Sequence, residues 1–448
     1  MPTPPAPGPA KTPITATPDT APAAPCPDCG SALTADPRFV RWCQACGWNA
    51  HPGATTATTR GDRLERRLNR AAEDRLFQRI TTSGSLSPVR DGAWVAAVVL
   101  ASLVHLVTLA IALVGALLIA RHPDSAPGLV IGGALILGTV GLRPRLGTMR
   151  RVRKRSFYLD RDQVPALYRL TDRIAAELGT APLRLICFDG RYNASYRRVG
   201  LRRQPVLTLG LPLWETLSAR QRVALLGHEL GHGANGDNTH GLWVGSALGC
   251  LEEWYALLTP GRRIGSRGLV ALGEMVARIV MYVFAAAVML LHRLLRRVTV
   301  LGSRRAEYLA DSMAARIAGN AATAELLTQL TLGDSLAHVL QRRRFRGTRV
   351  VSRRRGEAPA ESAARPDLWT ALRDYLDSVP ETERARRLRI SELDDSATDS
   401  THPPTHLRIA FIRGQPHPEP LILPDPADLA SIDAQLAPVL AAVAKGLE

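Results

Sequence analysis

The residues most able to do chemistry in this chain are His228, Glu229 and His232, within the sequence His-Glu-Leu-Gly-His. The apolar residues 223 to 226 before them predict a helix, on which the two histidines lie one turn apart on the same face. Two imidazoles so placed can bind one Zn²⁺, with the intervening glutamate directed at a water molecule. The motif therefore predicts a hydrolase site, although five residues also match by chance and a third ligand has to support them.

A second helix-compatible segment, residues 303 to 311, supplies the acidic side chains that such a site needs. Glu307 and Asp311 lie four residues apart and share a face of the predicted helix. A catalytic zinc takes three protein ligands and leaves one position for water, so Glu307 completes a set with His228 and His232. We expect Asp311 to accept a hydrogen bond from the free ring nitrogen of His228. The alternative is that both acids lie on a solvated helix face.

With further motifs in the same order, these residues resemble the HtpX-like and CAAX prenyl protease 1-like membrane zinc metallopeptidases, which belong to the gluzincins. The resemblance covers residues 160 to 413 and implies a zinc-dependent endopeptidase domain beside a membrane. It implies His228, His232 and Glu307 as zinc ligands and Glu229 as the general base. The motifs that carry it are Asn193-Ala194, His228 to His232 followed by Asn235-Gly236-Asp237, Ser303 to Asp311, and Thr401-His402-Pro403.

The resemblance also implies roles for residues outside the ligand set. Asn193 and Ala194 fall where the family's edge strand binds an extended polypeptide substrate, through the backbone of Ala194 and the amide of Asn193. An ordinary asparagine in a strand loop is the alternative. His402 or Arg408, near the family's closing helix, could contact the oxyanion of the tetrahedral intermediate, and a structural role is equally compatible. By resemblance we expect quality control of membrane proteins.

Two Cys-x-x-Cys-Gly turns near the start of the chain predict a zinc ribbon over residues 26 to 50. Four thiolates fill the coordination sphere, so this zinc is structural and the chain would hold one catalytic and one structural Zn²⁺. Trp42 and Trp48 favour a small core and docking of a protein partner or substrate, and nucleic-acid binding is the weaker interpretation. The predicted ligands are Cys26, Cys29, Cys43 and Cys46.

The chain is strongly basic, with 57 Lys and Arg against 40 Asp and Glu and a net charge of +17. Such a surplus suits nucleic acid or an anionic membrane, and its arginines crowd both flanks of the apolar residues 93 to 142. Residues 93 to 120 can cross a hydrocarbon core of about 30 Å, and residues 127 to 142 return as a transmembrane hairpin. The positive-inside rule then places the ribbon and the peptidase domain in the cytoplasm of a multi-pass protein. A buried hairpin in a soluble core is the alternative.

Two more apolar segments, residues 241 to 258 and 268 to 292, lie between His232 and Glu307. Because both of those ligands would bind one zinc on one side of the bilayer, the number of spans between them is even. Two spans agree with the resemblance. Arginines in the intervening loop and acids within the apolar runs count against them. Two spans are the preferred interpretation, and interfacial or core helices are the alternative.

The predicted fold class is mainly α with a small β-sheet, an α+β gluzincin-type domain joined to a transmembrane hairpin and an N-terminal zinc ribbon. The remaining predicted segments are a disordered stretch (1 to 25), a basic helix and linker (61 to 90), a basic loop (343 to 365) and a C-terminal tail with a helix (414 to 448). The predicted activity is that of a membrane-bound metalloendopeptidase. The rival is a membrane-tethered ribbon adaptor with an inactive peptidase fold.

Overall fold

A computed structural model of the chain describes residues 24–33, 36–52, 60–83, 92–141, 148–200, 202–234, 237–259, 269–351, 367–393 and 402–447. Residues 1–23 of the predicted disordered stretch therefore lie outside the described residues. The same holds for Asn235, Gly236 and Thr401 of the motifs, and for residues 352–366 of the predicted basic loop.

The described chain is mainly helical and contains one four-stranded sheet. Its helices are α1 (Arg60–Ser83), α2 (Gly92–Arg121), α3 (Ala126–Gly141), α4 (Met149–Arg155), α5 (Pro165–Glu177), α6 (Leu211–Trp214), α7 (Ala219–Ala234), α8 (Asp237–Leu258), α9 (Leu269–Ala318), α10 (Asn320–Leu330), α11 (Gly333–Val351), α12 (Leu368–Asp377), α13 (Glu381–Leu393), α14 (Thr405–Arg413) and α15 (Pro426–Leu447). Its strands are β1 (Phe157–Leu159), β2 (Leu185–Asp189), β3 (Ala194–Val199) and β4 (Gln204–Gly210). Together with the N-terminal cysteine cluster, these elements confirm the predicted fold class.

The sheet has the strand order β1-β2-β4-β3, so β3 forms one of its edges. Strand β2 pairs in parallel with β4, and its first four residues are fully buried, as expected for the interior of a sheet covered on both faces. Among the strands that the structure describes, β3 pairs antiparallel with β4 alone. The backbone groups on the other edge of β3 have no strand beside them among the described residues.

The main core lies between one face of the sheet and a layer of helices that includes α5, α7 and α15. Helix α15 is apolar enough to be a candidate membrane span by composition. However, it packs its buried face into this core, and Asp433 accepts a hydrogen bond from Arg222 of α7 at 2.7 Å. Helix α15 is therefore part of the soluble domain. Its buried side chains are Ile432, Leu436, Val439, Val443 and Leu447.

A separate bundle consists of α2, α3, α8 and the first part of α9. Helices α2 and α9 each contain a stretch long and apolar enough to cross a membrane. Small residues such as Ala101 and Ala247 are buried in the interior of the bundle, where its helices pack against each other. Its outside is apolar as well: Leu106 is 62% exposed and Leu117 56% exposed. Water does not stabilise so large an exposed apolar surface, so it is suited to lipid.

Helix α9 runs for 50 residues without a break and joins the bundle to the domain that contains the sheet. Its first part, over residues 273 to 295, is the apolar stretch, and its last turns carry the predicted segment 303 to 311. The sequence predicted these as two separate segments. They form one helix because the intervening residues contain no proline and only one glycine, Gly302.

Candidate metal centre

The two histidines of the first motif lie on α7, in the part of the helix that is buried in the domain. Their ring centroids are 4.9 Å apart and the rings are perpendicular. Both side chains point away from the helix axis in the same direction, as their spacing of four residues requires. Burial lowers the pKa of His232 to about 4, so the imidazole is neutral and has a lone pair to offer a cation.

Glu307 of α9 meets both imidazoles. Its Oε2 atom lies 3.6 Å from His228 Nε2, and its Oε1 atom lies 3.5 Å from His232 Nε2. Ligand atoms around a tetrahedral ion at about 2.1 Å are about 3.4 Å apart, so both distances to Glu307 suit one zinc ion, and all three ligand atoms lie within 4.8 Å of one another. The Glu307 carboxylate is buried, so a cation held between it and the two imidazoles would offset its negative charge.

The two helices approach each other closely because α7 has glycines on the face that meets α9. A Cβ atom added at Gly227 would lie 3.2 Å from Ala314 Cα, and one added at Gly231 would lie 3.2 Å from Ala310 Cα. These glycines alternate with the two histidines along the helix. The spacing Gly-x-x-x-Gly around the motif was a sequence signal for this contact that the motif analysis did not use.

Asp311 lies one turn beyond Glu307 and contacts the far side of the first imidazole, with Oδ1 3.0 Å from His228 Nδ1. Arg408 of α14 donates two hydrogen bonds to the same carboxylate, from Nε and Nη2, each of 2.7 Å. Burial alone would raise the pKa of Asp311, but the charge and hydrogen bonds of Arg408 outweigh it and lower the pKa. The aspartate is therefore an anion that can hold the His228 ring in one orientation.

The second residue of the motif, Glu229, is buried beside the ligands, and burial raises the pKa of its carboxyl group above the usual range. His402 lies across the site, with Nδ1 2.8 Å from Glu307 Oε2, and its side chain is half exposed. Arg408 Nη2 is 3.3 Å from the same oxygen. The guanidinium group of Arg408 therefore contacts Asp311 and Glu307. This geometry favours a role in positioning those carboxylates over contact with an oxyanion.

A cleft of about 810 Å³ opens onto this centre, and β3 forms one of its walls. The Gly210 amide donates to the Asn193 carbonyl at 2.8 Å, so in the antiparallel register the backbone groups of Ala194, Tyr196 and Arg198 point to the free edge. The Asn193 side chain is exposed and also lines the cleft. An extended polypeptide could therefore pair with this edge. The sequence predicted Asn193 and Ala194 there but did not identify Tyr196 and Arg198.

The four N-terminal cysteines also come together. Cys26 Sγ lies 3.7 Å from Cys46 Sγ, and Cys29 Sγ lies 3.5 Å from Cys43 Sγ. Four thiolates around a zinc ion at about 2.3 Å would be about 3.8 Å apart, so the cluster fits a tetrahedral Zn²⁺. Gly30 and Gly47 end the two turns with φ of +73° and +79°, a conformation that glycine adopts without strain.

The predicted ribbon packs against α13 and the main core through the side of the ribbon that carries Trp42. Trp42 Nε1 donates to the Thr382 carbonyl at 3.1 Å, and Arg386 Nη1 donates to the Ala50 carbonyl at 2.6 Å. Phe39 packs against the main core. Trp42 is thus covered within the chain, and Trp48 packs against the cysteines of the ribbon.

Two helices, α7 and α9, bring together three side chains suited to zinc, and an apolar bundle is attached to them. This combination is typical of a membrane-associated metallopeptidase. The sequence pattern of Peptidase family M48 matches residues 191–415, half of the chain, and the chain belongs to this family. A protease HtpX homolog of Pyrobaculum calidifontis is 27% identical over 261 residues, which cover 55% of this chain and 67% of that protein. No solved structure matches the chain. The resemblance predicted from the motifs is confirmed.

Proposed function

We propose that the chain is a membrane-bound, zinc-dependent endopeptidase in which His228, His232 and Glu307 hold the metal. The observation that carries the proposal is the meeting of the three side chains at distances of 3.5 and 3.6 Å, the spacing that one ion requires. A zinc ion bound there would polarise the scissile carbonyl and make a water molecule more acidic.

The protein's own side chains divide the remaining work. Glu229 takes a proton from the attacking water as the C–O bond forms, and delivers that proton to the leaving amine as the C–N bond breaks. Asp311, held by Arg408, keeps the His228 ring oriented. His402 lies across the site from α7, where it can contact the oxyanion that develops on the carbonyl oxygen.

The open edge of β3 supports endopeptidase action. The backbone groups of Ala194 and Arg198 would add a substrate strand to the sheet, beside the Glu229 carboxylate, to which the Tyr196 amide donates a hydrogen bond. Because main-chain hydrogen bonds do not depend on a chain terminus or on sequence, the cleft would accept an internal extended segment of many polypeptides. That breadth suits removal of unfolded membrane proteins, the role we propose.

For the membrane, we propose that α2, α3, α8 and residues 273 to 295 of α9 all cross the bilayer. Helices α8 and α9 pack on each other and on α2, with Val244, Leu251 and Leu295 buried between them. Two spans between the ligands return the chain to the same side, as one shared metal requires. The ribbon and the peptidase domain then both lie in the cytoplasm, next to the basic residues.

The proposal is tested by Glu229→Gln, which keeps the size of the side chain and removes the base. We expect the purified variant to retain the zinc content of the native protein but to cleave casein at least about 100-fold more slowly. His228→Ala, the comparison variant, should lose the active-site zinc as well. Undiminished cleavage by Glu229→Gln would refute the assignment. Native protein with full zinc and no cleavage of casein or of a detergent-solubilised membrane protein would favour the inactive adaptor.

A further inference from the structure

Helix α1 precedes the apolar bundle and lies outside the segment that matches the family. Its sequence predicts a basic helix that leads to the membrane. In the structure its apolar residues also pack against the C-terminal part of α9 and against α14, next to the metal centre. The side chains in this contact are Leu76, Phe77, Ile80, Tyr308, Ile409 and Phe411.

One acidic residue of α1 is buried in the contact. Glu73 is 4% exposed and Arg304 is 9% exposed. The Glu73 carboxylate accepts a hydrogen bond of 2.5 Å from Arg304 Nη1. The hydroxyl group of Tyr308, which is fully buried, donates to the other carboxylate oxygen of Glu73 at 3.3 Å. A carboxylate, a guanidinium and a phenol are thus removed from water together.

The partners of Glu73 lie directly beside a proposed ligand on the same helix. Arg304 is three residues before Glu307, and Tyr308 is the next residue after it. Tyr308 also packs edge-on against Phe411 of α14, at 5.3 Å between ring centroids. Helix α9 is therefore held on two faces, by α7 where Glu307 and the histidines meet and by α1 and α14 on the adjacent face.

We propose that Glu73 is a positioning residue of the metal centre, which fixes the rotation of α9 through Arg304 and Tyr308 so that Glu307 faces the histidines. This inference rests on the proposed function. Burying two charges costs about as much as their attraction returns, so a pair of this kind adds little to stability over an apolar contact. What it does supply is a single preferred geometry. A residue of α1, before the segment that matches the family, would thus position a ligand that lies within that segment.

The test compares Glu73→Gln with Asp74→Asn, the neighbouring carboxylate, which is exposed. In the full-length protein in detergent, we would measure the affinity of the active-site zinc, defined as the zinc that His228→Ala lacks, together with the thermal midpoint and the kcat for casein. We expect Glu73→Gln to weaken zinc binding about tenfold. This is the lower end of the loss in affinity when a group that orients a metal ligand is removed. Asp74→Asn should stay within about twofold of the native affinity, as a surface change does.

Reversing the pair, with Glu73→Arg and Arg304→Glu together, should recover most of the lost zinc affinity. A folded Glu73→Gln protein with native zinc affinity and only a lower thermal midpoint would overturn the proposal, because it would show a purely structural pair. If Glu73→Gln does not fold, the zinc affinity of Tyr308→Phe tests the proposal, since this variant removes one hydroxyl group and keeps the ring. Weaker zinc binding in Tyr308→Phe supports the proposal and native binding contradicts it.

The zinc measurement also separates this inference from the proposed function. If the native protein binds zinc but cleaves nothing, the peptidase proposal fails while the affinity of Glu73→Gln still reports on the position of Glu307. If the native protein cleaves casein and Glu73→Gln binds zinc normally, only the role of Glu73 is lost.

Discussion

At the scale of single residues, the metal centre depends on a chain of contacts that ends far from the motif. Arg408 holds Asp311, Asp311 contacts His228, and His228 lies 3.6 Å from Glu307. Each link is buried, so the groups interact in a medium of low dielectric where an unpaired charge is costly. The orientation of one ligand ring is therefore set by an arginine on a different helix.

Replacing Arg408 by Met keeps much of its volume and leaves the Asp311 carboxylate buried without its charged partner. We expect the free energy of unfolding to fall by about 3 to 5 kcal/mol, the usual result of removing one member of a buried pair. Denaturant unfolding in detergent measures this change. The matched control is Arg413→Met on the same helix, an exposed position where the effect should be below about 0.5 kcal/mol. Equal stabilities of the two variants would contradict the assigned contact.

Much of this residue-level arrangement could be predicted, because the period of a helix relates residues four apart. The pairs His228 with His232 and Glu307 with Asp311 followed from spacing alone, and the structure brings all four together. Arg408 was placed near the site by resemblance, but its partner was not. Neither Arg408 nor Glu73 is close in sequence to what it contacts, and only tertiary packing brings each to α9.

At the scale of elements, the centre is the place where α7 and α9 touch. Because neither Gly227 nor Gly231 has a side chain, the helix axes come close enough for one ion to bridge them. The long α9 couples this contact mechanically to the bundle, since the same helix carries the apolar stretch and Glu307.

Gly231→Val should separate these two helices. Its Cβ atom would start 3.3 Å from Met313 Cβ, and its two methyl groups would have no space. Displacing catalytic groups by about 1 Å can cost about 100-fold in rate, so we expect casein cleavage to fall by at least that factor and the active-site zinc to be lost. Gly245→Val on α8 is the control, because no atom of the described residues lies within 4 Å of its Cβ position. Native activity of Gly231→Val would show that the close approach is not needed.

The sequence predicted the elements better than their assembly. Apolar runs and flanking charges gave α2 and α3 within one residue of their ends, since burial in lipid needs an almost uninterrupted apolar composition. Helix α15 shows the limit of this reasoning. Its composition suits a membrane span, and only packing against α5 and the ion pair with Arg222 assign it to the soluble core.

At the scale of the whole molecule, the ribbon, α1 and the bundle are three attachments to one peptidase domain. Their proposed arrangement places the turn between α2 and α3 on the opposite side of the membrane from the active site. The exposed residue Asp124 in that turn offers a test. In intact cells, Asp124→Cys should react with a membrane-impermeant thiol reagent, since that turn would face outside.

The native chain, whose six cysteines all lie outside this turn, is the control and should stay unlabelled in intact cells. Labelling of the native chain in intact cells would place the peptidase domain outside. Failure of Asp124→Cys to react, in protein that is otherwise folded and membrane-bound, would contradict a hairpin that crosses the bilayer.

The most direct test of the account is an anomalous diffraction measurement at the zinc edge on crystals of the native protein. We predict two peaks per chain. One should lie about 2.1 Å from nitrogen atoms of His228 and His232 and an oxygen of Glu307, and the other about 2.3 Å from the sulfur atoms of Cys26, Cys29, Cys43 and Cys46. A map with zinc on the histidines but with Glu307 turned away and replaced by another protein ligand would contradict the central claim.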